Sequence, residues 1–97
     1  MDQNQNHEAM VTVKLQAVKS AYKEDSEYLE STADMLGCSV DTLCKAIVVQ
    51  QDEPMAMYMF NELLHHGHTP EQLDAILTTC IKDNTSQPLA MAFYEMR

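Results

Sequence analysis

Basic residues are scarce in this chain. Six Lys and Arg stand against fifteen Asp and Glu in 97 residues, for a formal net charge of −9. Affinity for nucleic acid rests heavily on neutralising phosphates with Lys and Arg, so nucleic acid is not the expected partner. Glycine and proline are also few, two and three residues, which leaves little turn chemistry for a sheet protein. No apolar run reaches the roughly 18 residues that a membrane span needs. The N-terminal stretch lacks the basic head and apolar run of a secretory signal, so a cytoplasmic setting is expected. The three cysteines, Cys38, Cys44 and Cys80, form no CxxC pair, which argues against a redox motif or a zinc knuckle. Cys44 and Cys80 fall among apolar residues, where a reduced cysteine acts as a small core side chain, and a reducing compartment fits that use. There is no GxSxG, no phosphate-cradling glycine loop and no Cys/His pair at a familiar spacing. The chain therefore reads as a non-enzyme with no cofactor.

What is present is helical patterning. Hydrophobic residues make up 45% of the chain, the globular norm. A chain of this length buries roughly 60–65% of its unfolded surface, enough for one core. Residues 1–6 are polar and aperiodic and are expected to be disordered; residues 7–97 are read as a single all-α domain. Val11, Leu15, Val18, Tyr22, Leu29, Ala33 and Leu36 keep one helical face apolar. Asp25 interrupts that stripe, so two helices are expected, with Asp25 or Ser26 capping the second. Gly37 suits a left-handed helix stop, and Ser39 opens a helix with Leu43 and Ile47 facing inward. Asp52-Glu53-Pro54 signals a restart, and Met55 through Leu64 make the next helix, ending before Gly67. Thr69-Pro70-Glu71-Gln72 is the clearest start in the chain, a cap, a proline and a Gln placed to complete a capping box. Leu73, Ile76, Leu77, Cys80 and Ile81 give that helix its stripe. Pro88 starts the last helix, through Leu89, Met91, Ala92, Phe93 and Met96. The expected fold is an all-α compact bundle of five to six short helices.

Glu53-Pro-Met-Ala-Met-Tyr-Met-Phe resembles Gln87-Pro-Leu-Ala-Met-Ala-Phe-Tyr thirty-four residues on, and a capped helix precedes each. Two similar helical hairpins after an N-terminal helix would account for both matches. Two units suit a bundle better than a solenoid, which usually needs three or more.

Thr32-Ala-Asp-Met-Leu-Gly-Cys-Ser-Val-Asp-Thr-Leu43 resembles the helix-turn-helix of bacterial regulators. Ala33 permits close approach of two helices, Gly37 makes the turn, Ser39 caps the second helix, and Leu43 with Ile47 locks it down. The resemblance implies a DNA reader acting through residues 39–51, with Val40, Thr42 and Lys45 nearest the bases. It departs from that pattern in lacking Arg, Asn or an early Gln to read base edges. Residues 24–44 hold six acids and no base, so the DNA reading stands second. Gly67-His-Thr-Pro-Glu-Gln72 with Ala75-Ile76 resembles the opening of a transcription-activator-like effector repeat, without the glycine pair of its base-reading loop and without basic residues.

His65-His66-Gly67-His68, taken with His7 or Glu62, is a histidine cluster. Its adjacent histidines point to different helix sides and no HExxH spacing occurs, so no metal is assigned. Histidine near a helix C-terminus is accounted for by the dipole. Eight methionines, with Met55, Met57 and Met59 alternating with Ala56, Tyr58 and Phe60, describe a helix apolar all round. Such a helix is central in a core or shared with another chain, and Met with aromatics suits adaptable interfaces. The leading reading is a small acidic protein-binding module that occupies a partner's basic surface. In general character it is similar to phage- and plasmid-encoded inhibitors of nucleic-acid-handling proteins. The expected contacts are Glu24, Asp25, Glu27, Glu30 and Asp34, with Met57, Tyr58 and Phe60 as apolar anchors. A homo-oligomer is the further reading of the Met-rich helix.

Overall fold

A computed structural model describes residues 3–96, with side chains from residue 9 onward. Its elements are α1 (Gln3–Ala21), a short 3₁₀ turn (Lys23–Asp25), α2 (Ser26–Leu36), α3 (Val40–Asp52), α4 (Ala56–His65), α5 (Pro70–Lys82) and α6 (Gln87–Met96), with no strand among the described residues. The all-α bundle expected from the sequence is the architecture found. Helix α1 begins at Gln3, so residues 3–6, read from the sequence as disordered, belong to its first turns. Met1 and Asp2 lie outside the described residues.

The joint between α1 and α2 falls where Asp25 breaks the stripe, but no side chain caps it. Backbone groups close the turn instead: Tyr22 N–H donates to Val18 O (3.1 Å), and Asp25 N–H to Tyr22 O (2.9 Å). Tyr22 and Tyr28 stack across the joint, 5.7 Å apart and nearly parallel. Gly37 ends α2 with φ +78°, a conformation that costs an L side chain strain. Cys38 N–H then reaches Ala33 O (3.0 Å) and Gly37 N–H reaches Asp34 O (3.1 Å), the paired bonds of a Schellman stop. The same closure recurs at Gly67 onto Leu63 and Leu64, and at Asn84 (φ +52°), with Thr85 N–H bonded to Cys80 O. The Ser39 hydroxyl accepts from Thr42 N–H at the start of α3. At the start of α5, Thr69 and Gln72 form the full capping box. Within the restart signal Asp52-Glu53-Pro54, Asp52 is the last residue of α3. Glu53 holds the turn, its carboxylate accepting from Met55 N–H and its carbonyl from Ala56 N–H.

Helices α3 and α5 run side by side in the same direction. Their N-terminal ends share one cleft and their C-terminal ends another. Helix α1 lies across both, α2 packs on α3, and α4 and α6 pack on the pair and on each other. One hydrophobic cluster draws on all six helices. Helix α3 is its centre: Thr42, Leu43, Cys44, Ala46, Val48 and Val49 are all buried. Burial of Val48 and Val49 outweighs their modest helix propensity.

The internal repeat has a period of thirty rather than thirty-four. Leu29 and Ala33, Met59 and Leu63, and Leu89 and Phe93 are the buried i, i+4 pairs of α2, α4 and α6. Gly37 and Gly67, Ser39 and Thr69, and Leu43 and Leu73 keep that spacing. The sequence match at thirty-four aligns the prolines, but Pro54 lies in the loop before α4 whereas Pro88 is the second residue of α6, so the prolines are not equivalent positions of the packing.

Candidate functional site

Several depressions mark the described surface, three of which bear on a candidate site. The cleft at the N-terminal ends of α3 and α5 contains Asp41, Lys45, Glu71 and Asp74. Its one base is already engaged: Lys45 Nζ sits 2.9 and 3.0 Å from the two oxygens of Asp74. Ser39 Oγ donates to Thr42 Oγ1 (3.0 Å), which donates to Asp74 Oδ1 (2.9 Å). The chain of bonds ends in an internally neutralised pair, so the helix N-termini there face acids and no free cation. This network ties α3 to α5. A smaller cavity of about 160 Å³ at the C-terminal ends is bordered by Lys14, Asp52 and the α5–α6 loop.

The third depression is an apolar groove of about 670 Å³ between α2 and α4. Both helices pack on α3, but they make no extensive contact with each other. Tyr28, Thr32, Met35 and Leu36 form the α2 wall, Leu43, Ile47 and Gln50 of α3 the floor, and Met57, Tyr58, Asn61 and His65 the α4 wall, with Tyr22 at one end. Met35 is 80% exposed, and Tyr28 and Tyr58 are about half exposed (55% and 51%). These are large apolar side chains left in water, and together they make a patch rather than scattered singles. His65 Nδ1 lies 2.9 Å from Asn61 O, one turn back on its own helix.

The acidic residues expected to meet a partner are all exposed. Glu27, Glu30 and Asp34, with Ser31, form a stripe along the outer side of α2; Glu24 and Asp25 extend it into the 3₁₀ turn. By helical spacing α2 thus has three faces: Leu29 and Ala33 inward, Tyr28, Thr32 and Met35 on the groove, and acids outward. Met57 and Tyr58 are where an apolar contact needs them, on the groove wall. Phe60 is not. It is fully buried, because its position one turn on from Ala56 turns it with Met59 and Leu63 into the core. The Met-rich helix is therefore amphipathic, and its Met55 and Tyr58 face water.

The residues carried over from the helix-turn-helix resemblance are placed by the same packing. Gly37, Ser39 and Leu43 build the turn as that motif would. However, Thr42 is buried at 4%, Ala46 and Val49 are core residues, and Lys45 is paired to Asp74. The face of α3 that would enter a DNA groove is covered by neighbouring helices, so Thr42 and Lys45 are not free to read bases. Val40 is partly buried against the core.

The groove's Tyr28, Thr32, Met35, Ile47 and Gln50 were not among the sequence candidates. The signal was there in α2, since Tyr28, Thr32 and Met35 follow i, i+4, i+7 as a second stripe beside the core stripe. No group of three or more His, Cys, Asp or Glu able to hold a metal occurs among the described residues; the His7 side chain lies outside them. No described helix is long and apolar enough to cross a membrane. All three thiols are free, and burial raises the pKa of each above the ordinary 9.0. Comparison with protein-family models, curated proteins and solved structures gives no match.

Proposed function

We propose that this chain is a small acidic protein-binding module that acts by occupying a basic surface of its partner. The observation that carries this reading is the exposed acidic stripe along the outer side of α2, on a helix whose other side walls an apolar groove. Charge steers the approach of an oppositely charged partner, and buried apolar anchors supply most of the affinity once it docks. A partner that handles nucleic acid fits, because such proteins carry basic tracks for phosphate. Binding there would inhibit it by competition, with no catalysis by this chain.

The test begins with a partner isolated on the immobilised chain and then purified. Its Kd is measured for the native protein and for the variant Glu24→Gln, Asp25→Asn, Glu27→Gln, Glu30→Gln, Asp34→Asn. Weakening by tenfold or more, with a flatter salt dependence, is expected. Unchanged affinity rejects the acidic stripe as the contact surface. A labelled mixed-sequence duplex at about 50 mM salt serves as the contrasting ligand, and no binding to it is expected.

A further inference from the structure

We draw no further inference here: the strongest candidate, the apolar groove between α2 and α4, carries none, because the acids of α2 lie on the side of that helix turned away from it and nothing in the structure shows what covers it.

Discussion

Replacing Asp74 by Ala tests the packing that takes Lys45 out of reach of any ligand. Asp74 receives both the Lys45 ammonium and the Thr42 hydroxyl. Lys45 is well covered, with 14% of its side chain exposed, while Asp74 retains 34%. Breaking a fully buried pair costs about 3–5 kcal/mol, because one charge is left without its partner; an exposed pair is worth about 0–1 kcal/mol. This pair lies between, with water reaching the carboxylate side. Thr42 contributes little to the loss, since its hydroxyl is 3.0 Å from Ser39 Oγ and the direction of that bond can reverse. The expected cost is about 2 kcal/mol, or about 8–16 °C in Tm for a domain of this size. Urea denaturation followed at 222 nm measures it. Lys45→Met with Asp74→Leu, which removes both charges and keeps apolar volume, should recover most of the loss, and Asp74→Asn should fall between. A change under about 0.5 kcal/mol for Asp74→Ala would refute the reasoning. It would mean that Lys45 swings into solvent, and a binding role for that residue would then be open again.

Three further outcomes follow from the same packing. Phe60→Ala should cost about 3–5 kcal/mol, whereas Tyr58→Ala, at a half-exposed position with an edge contact to Phe93 at 5.8 Å, should cost about 1 kcal/mol; a reversed order in urea would put Phe60 at the surface. Gly37→Ala should cost about 1–2 kcal/mol through backbone strain alone, since an added Cβ meets nothing within 4 Å, and Gly37→Asn should cost less. A neutral Gly37→Ala would mean that the left-handed stop is not held in solution. Stability should also decline at alkaline pH. Burial raises the three thiols above 9.0, and a hydrogen bond to Asp41 raises Lys19 above 10.5. Groups with raised folded-state pKa stabilise fully below their unfolded values and lose that contribution as pH rises through the folded ones. Urea midpoints should therefore be level from pH 7 to 8 and fall between pH 9 and 11, and Cys44 and Cys80 should resist thiol reagents until the chain unfolds. A midpoint that rises over the alkaline range would contradict the burial of the thiols.

The sequence by itself determined the helices and their stops. Caps, prolines and left-handed residues act through hydrogen bonds to backbone groups a few positions away, so Thr69-Pro70-Glu71-Gln72, Ser39, Gly37 and Gly67 could be read without knowing the fold. The joint near Asp25 was legible for the same reason, though backbone bonds rather than a side-chain cap close it. The acidic stripe was legible as well, because charge runs on a solvated face need no partner element. Tertiary structure alone decided which side of each helix meets another. Helix α3 carries apolar residues around much of its circumference, and only the docking of α1 and α5 shows that Thr42, Ala46 and Val49 are covered and that Lys45 is bound to Asp74. In the Met-rich α4, Tyr58 and Phe60 are equally apolar on paper; their separation by two positions turns one to the groove and the other to the core once α6 packs in place. The groove itself belongs to no segment. It exists because α2 and α4 both settle on α3 without meeting, and that is a property of three helices arranged in space.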